Sequence, residues 1–283
     1  MLTAIVTTVY NERVNLPIWV RHYSSHCPGA TLFVIDHGSN DGSTRGLGGV
    51  NVLPLPRRPW DGRARSDFAA DLQHALLRFF DFVIYTDCDE MLVADPRKHA
   101  SLAAFLEAVD SDVVSPTGLN VQHIIALEAP IDLNAPILGQ RRYVRFASGM
   151  CKPSISRVPL LWMPGFHWCD QLSEHRTDLF QFHLRRMDVN LSLERLRTTR
   201  EMAWSEQALL AGGESWRQAD EERVRVEFEI PAELARTHGL VPFEFENEMK
   251  RRFDSLRLQD GFYKGEHFRG LITEVPETFF GLI

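Results

Sequence analysis

At 283 residues, with 44% hydrophobic and 24% charged residues, the chain has ample material for a packed domain, which excludes a disordered or fibrous protein. A formal net charge of −7 disfavours nucleic acid as a partner, although Arg57, Arg58, Arg63 and Arg65 form a local run suited to phosphates. Four scattered cysteines with no CxxC pair point to a reducing compartment, the cytoplasm, rather than to a disulfide framework.

No apolar run is long enough for a transmembrane segment, and the first residues carry no basic leader. The apolar cluster at 160–163 leaves a peripheral membrane contact open, but a buried core strand is the preferred use of it.

In chain order, the β-branched run 2–9 predicts a first buried strand ending at Asn11 and Glu12. Leu16, Trp19, Val20 and Tyr23 then recur at helical spacing, with Asn15 as N-cap and Pro17 in the first turn. A second strand at 30–35 ends at Asp36 in a turn-rich stretch, and a third lies at 50–53. Phe68, Leu72, Ala75, Leu76 and Phe79 mark the next helix, 82–85 a central strand, Leu102, Phe105, Leu106 and Val109 another helix, and 113–116 another strand. Strands alternating with helices predict an α/β fold with a mostly parallel central sheet covered on both faces. Beyond residue 140 the looser alternation at 140–155 and 179–184 reads as mixed or antiparallel additions. A helix is expected over 193–210, stopped by Gly212 and Gly213, and another over 243–253. The organisation expected is a nucleotide-binding domain over 1–190 and a mainly helical C-terminal extension over 191–283 packed on it.

The stretch on which the chain turns is FVIYTDCDEML at 82–92. Its apolar strand stops at Asp87, Asp89 and Glu90, and apolar residues resume at Met91. A bare DCDE run is equally a solvated strand end, but carboxylates pinned between two buried segments need a compensating cation. Asp87 and Asp89, two apart, fall on one side of an extended chain and offer hard oxygen ligands suited to Mg2+ or Mn2+. Asn11, Glu12, Asp36, Asp87 and Asp89 all end predicted strands, which places them at one carboxyl edge, where open α/β sheets bind ligands. RGLGGV at 45–50 is followed by a strand, so it is no dinucleotide fingerprint.

Four segments, VTTVYNE at 6–12, VIDHGSNDGS at 34–43, RARSDFAADLQHAL at 63–76 and TDCDE at 86–90, together resemble a family 2 glycosyltransferase of the GT-A fold. The later GMCKPSI, GFHW and LFQFHLRRMD segments bear a weaker resemblance to the family 92-like branch. The resemblance implies a metal-dependent hexosyltransferase-like enzyme that moves a sugar from a nucleotide diphosphate donor, a UDP-sugar before a GDP-sugar, with inversion. Val9, Asn11 and Glu12 would lie beside the nucleotide, Asp36 would bond its base, and Asp41 belongs to the same turn. Arg65 would stand near the diphosphate, and Asp87 with Asp89 would form the DxD pair that holds the ion against it. A third metal ligand would come from a histidine in the second half, His167 ahead of His183.

On chemical grounds, sugar transfer develops negative charge on the leaving phosphate, which a divalent ion flanked by Arg or Lys stabilises. Lys152 is placed facing that diphosphate. The acceptor, a glycan, a lipid-linked sugar or a small molecule, must lose a hydroxyl proton, and Asp170 and Glu174 are the candidate bases, read against their use as solvated loop acids. Two rivals remain, a nucleotide-sugar binding module that lacks the base and a metal-dependent phosphotransfer enzyme with an Asp-x-Asp nucleophile.

Overall fold

A computed structural model describes residues 1–213 and 220–283 of the chain. The protein is an α/β fold built on one large sheet. Strand β1 (Thr3–Val9) leads to α1 (Asn15–His26), β2 (Thr31–Asp36) and β3 (Val50–Pro54), and then α2 (Gly62–Leu76) leads to β4 (Phe82–Tyr85). These four strands are parallel, with Val9 opposite Asp36 and Val6 opposite Tyr85, so their carboxyl ends open at one edge. Alternation along β1 sorts the two faces. Ile5 and Val9 pack with Leu16, Trp19 and Tyr23 of α1, whereas Ala4 and Val6 pack with Ala69, Ala70 and Leu76 of α2.

The second half of the sheet is mostly antiparallel. It comprises β5 (Glu90–Ala94), β6 (Val113–Gln122), β7 (Tyr143–Ala147), β8 (Ile155–Ser156) and β9 (Glu174–His183), with α3 (Leu102–Ala108) between β5 and β6. The short β8 pairs with both β4 and β6 and so joins the halves. Strand β9 runs parallel to β6 and antiparallel to β5, and its last residue, His183, lies opposite both Asn120 and Glu90. Residues directly opposite one another share a face. The pairing therefore sets Asn120, His183 and Glu90 side by side.

After β9 the chain forms α4 (Val189–Glu201), α5 (Glu221–Val226), α6 (Ala232–Gly239) and α7 (Glu246–Asp254). A hairpin of β10 (Arg257–Gln259) and β11 (Phe262–Lys264) follows, and β12 (Arg269–Glu274) returns to the sheet edge beside β7. No helix among the described residues is long and apolar enough to cross a membrane, and all four cysteines are free and buried.

Several elements differ locally from what the sequence predicts. Asn15 is the first helical residue of α1 rather than its cap, and its side-chain amide donates to the Glu12 carboxylate at 3.1 Å. In α2 the buried face is Ser66, Ala69, Ala70, Gln73 and Leu76, while Phe68 is 36% exposed and Phe79, past the helix end, 77%. Small residues bring that helix close to the sheet, where Gln73 Nε2 donates to Ser156 Oγ at 2.7 Å. Strand β6 continues past Pro116 to Gln122, and its register with β9 shifts between Ser115 and Thr117, at the residue that has no N–H to give. At 160–163, Leu160 and Trp162 are buried and Leu161 is half exposed, with an isolated bridge from Trp162 to Cys169 in place of a core strand. The helix expected over 193–210 breaks after Glu201. There Trp60 and Trp204 pair through backbone bonds, Trp60 N–H to Ala203 at 2.7 Å and Ser205 N–H to Trp60 at 2.9 Å, and Ser205 caps a new turn.

Candidate functional site

Residues 86–89 link β4 to β5, and the four acidic side chains around them are sorted by their partners. Asp87 contacts Arg65 Nη2 through Oδ1 and Lys152 Nζ through Oδ2, the latter at 2.9 Å. Burial alone would raise its carboxyl, but Arg65 and Lys152 override that and hold it at about 2. Lys152 is itself buried and reaches Glu90 Oε1 at 2.6 Å; burial works against its charge, and the two carboxylates more than compensate. For Glu90 the balance falls the other way, since burial raises its carboxyl despite Lys152. Glu12 pairs with Arg195 of α4 and accepts the Cys88 thiol at 3.1 Å.

Asp89 faces His183 instead, with Oδ2 3.4 Å from Nε2. The other ring nitrogen, Nδ1, is 2.8 Å from Asn120 Oδ1, which fixes the proton there and turns the Nε2 lone pair toward Asp89. A lone pair aimed at a carboxylate oxygen is attractive only with a proton or a metal ion between them. Asp89, Glu90 and His183 each offer a ligand atom within 4.8 Å of the others, all three buried. Two carboxylates and an imidazole suit a divalent ion such as Mn2+ or Mg2+.

The surrounding cations are positioned by ordinary local rules. Asp61 caps α2 by accepting from Arg63 N–H at 2.9 Å and Ala64 N–H at 3.0 Å, and this presents Arg65 from the first turn. Its guanidinium also donates to Tyr85 Oη at 3.2 Å and lies 5.0 Å above the Phe166 ring, while its Nε is buried without a hydrogen-bond partner among the described residues. Phe166 stacks on Tyr85 at 4.1 Å with φ at +60°, a strained value for an aromatic residue. Lys152 follows the turn at 148–150, which packs against Gly118 of β6. A Cβ at Gly118 would lie 2.4 Å from the Met150 carbonyl carbon.

Other residues picked from sequence have local roles. Val9 is buried at the end of β1 and accepts from His37 N–H at 2.9 Å. Asn11, at φ +52°, exchanges two bonds with Asn40, both at 3.0 Å, and donates its backbone N–H to Ser39 Oγ at 3.0 Å. Asp36 accepts from Ser39 N–H at 2.7 Å and Thr44 Oγ1 at 2.8 Å, and Asp41 accepts from Ser43 and pairs with Arg13 at 3.2 Å. Both carboxylates brace the 36–44 turn at the carboxyl edge.

His167, Asp170 and Glu174 are not members of the Asp89, Glu90 and His183 group, although His167 lies within reach of the charges of Lys152 and Asp87. His167 Nδ1 donates to the Gly149 carbonyl at 2.6 Å, and burial, reinforced by Lys152, pushes the ring down to about 3. Asp170 Oδ1 accepts from Leu161 N–H at 2.9 Å and lies in a cavity beside His74, in the last turn of α2, whereas Arg65 is in the first. Glu174 bonds Arg176 at 3.0 Å and Ser111; it lies opposite Val114 while His183 lies opposite Asn120, which puts the two roughly 20 Å apart at the strand rise along β6. Sequence reading missed Asn120 and Arg195 and gave Glu90 no role of its own. Nothing in the residues near Asn120 or Arg195 signals their use, because strand register and the docking of α4 decide it.

No protein-family model matches the chain, and no curated protein matches it. Among solved structures, part of the chain superposes on the mannosyltransferase PcManGT from Pyrobaculum calidifontis in complex with GDP-Man and Mn2+ (16% identity, 47% of this chain and 37% of that one, TM-score 0.29). Another part superposes on glucosyl-3-phosphoglycerate synthase from Mycobacterium tuberculosis in complex with Mn2+, UDP and glucosyl-3-phosphoglycerate (24% identity, 31% and 34%, TM-score 0.24). S. aureus TarS is matched more broadly and more distantly, at 11% identity over 96% of this chain and 60% of that one, TM-score 0.39. The chain thus spans less than two thirds of the length of each of these structures, and the superpositions are too loose to assign a function.

Proposed function

We propose that the chain is a metal-dependent glycosyltransferase that moves a sugar from a nucleotide diphosphate donor, a UDP- or GDP-sugar, to a hydroxyl acceptor. The observation that carries this reading is the Asp89, Glu90 and His183 cluster, formed where the chain leaves the carboxyl end of β4 and enters β5 beside the end of β9, with Arg65, Lys152 and Arg195 around it. An ion held by those three residues would supply positive charge to the leaving diphosphate. Arg65 and Lys152 are preorganised on Asp87, so their charge is fixed before substrate arrives and costs little reorganisation. The orphaned Arg65 Nε is a donor suited to a phosphate oxygen. Asn11 and Asp36 brace the turn that would border the nucleoside.

A binding module without transfer is the second reading, favoured by the distance of Asp170 and Glu174 from the cluster. Donor turnover separates the two. With Mn2+ the protein should hydrolyse a UDP- or GDP-sugar slowly in the absence of acceptor, and Asp89→Asn should lower that rate roughly 100-fold or more, the scale for losing one fixed electrostatic contact. Tight, metal-dependent nucleotide binding with no turnover of any donor in the presence of candidate acceptors would leave the binding module instead.

A further inference from the structure

The row of side chains that includes His183 continues one strand further. Asn120 lies opposite His183 on β9 and opposite Arg145 on β7, so Arg145 shares their face about 10 Å from His183, two strand spacings away. There Arg145, Arg186 and Arg269 converge on a cavity of about 140 Å³ with Asn120, Gln122 and Glu227. Glu227 is the one carboxylate among its lining residues. It takes Arg186 Nε at 2.5 Å and Arg269 Nη1 at 3.8 Å, and Gln122 Nε2 holds its backbone carbonyl at 3.1 Å.

Three guanidinium groups against one carboxylate leave an excess of two positive charges. Arg145 has the least compensation, since its Nε is buried without a hydrogen-bond partner among the described residues. Burial and the neighbouring Arg269 and Arg186 push it below the ordinary arginine range, with Glu227 opposing. A buried cationic donor without a partner is costly, and an oxyanion supplies both the charge and the acceptor atoms it needs. The cavity is smaller than the roughly 300–1,000 Å³ of a whole small-molecule site, so it fits one anionic group of a larger ligand.

We propose that this pocket binds the phosphate or carboxylate of an anionic acceptor, whose hydroxyl then reaches toward the donor at Asp89 and His183. The acceptor role rests on the transferase reading above; the anion site does not. Arg145 is the anchoring donor, and Glu227 occupies the other two arginines until the anion shares them.

Calorimetry on the full chain with inorganic phosphate, and separately with acetate, tests this in the parent, Arg145→Gln and Glu227→Gln. Arg145→Gln should weaken the preferred anion roughly tenfold or more, and Glu227→Gln should tighten it several-fold, as expected for gaining or losing charge-assisted hydrogen bonds. Whichever probe shows this pattern names the group. Should Arg145→Gln fail to fold, the Glu227→Gln arm still decides, because an unrelated site would not gain affinity from it. Binding should persist with saturating UDP and Mn2+; displacement by them would assign the pocket to the donor and overturn the proposal. Anion binding indifferent to both variants would overturn it as well. If UDP with Mn2+ does not bind while phosphate keeps its Arg145 dependence, the acceptor role falls with the transferase reading and the anion site remains.

Discussion

At the scale of single residues, Asp89 and His183 meet because His183 is the last residue of β9, where register sets it beside both Glu90 and Asn120. Sequence reading ranks His167 ahead of His183 for the ion, on the apolar run before it and the adjacent glycine. In the fold, Gly165 at φ +87° belongs to a turn whose histidine bonds the Gly149 carbonyl through Nδ1. Manganese at a hundredfold excess over Kd should stabilise the parent by about 2.7 kcal/mol. His183→Ala should lose most of that increment in a thermal melt, whereas His167→Ala should keep it. The reverse result would move the ion to His167. Asp87 and Asp89 were legible as a pair from spacing alone, but their division of labour was not, since it depends on Arg65 and Lys152, which arrive from elsewhere in the chain.

Individual elements were read best where apolar runs were continuous. The buried β1 and β4 announce themselves, because a strand covered on both faces needs no alternation. The face of α2 was not legible, since its contact is made by alanines and Gln73 while its one phenylalanine, Phe68, faces outward. Between elements, β6 and the turn that carries Lys152 touch at Gly118. Gly118→Ala drives a Cβ into the Met150 and Cys151 backbone, and overpacking of this kind costs about 1–3 kcal/mol. It should lower the melting temperature and also weaken nucleotide binding through Lys152; a melting temperature equal to the parent's would show that the turn yields freely. On β9, burial raises the Asp178 carboxyl, but Arg176 and His99 reverse that and hold it at about 2. A carboxyl depressed from 3.8 takes up its proton in the unfolded chain first. Its contribution, on the order of 2 kcal/mol, is therefore complete above about pH 4 and lost as pH falls toward 2. Asp178→Asn should flatten this part of the stability profile in acid denaturation, and an unchanged profile would mean the unfolded chain keeps the pair.

Over the whole molecule, the site gathers Glu12, Arg65, Asp87, Asp89, Glu90, Lys152, His183 and Arg195 from both halves of the chain. The parallel half was legible down to its carboxyl edge, because strand, turn and helix alternate there in sequence order. The second half was not, since β8 and β9 find their neighbours through long-range pairing that no local pattern records. Four carboxylates in one buried place are stable only with cations among them, and a nucleotide diphosphate adds further negative charge. The most direct measurement is calorimetric titration of UDP and GDP into the parent and Asp89→Asn, in manganese and in chelator. At least one nucleotide should bind the parent roughly tenfold or more tightly with manganese, and Asp89→Asn should bind it weakly and equally in both conditions. Equal affinity of the parent in manganese and chelator, or full manganese dependence in Asp89→Asn, would contradict the metal-dependent donor site.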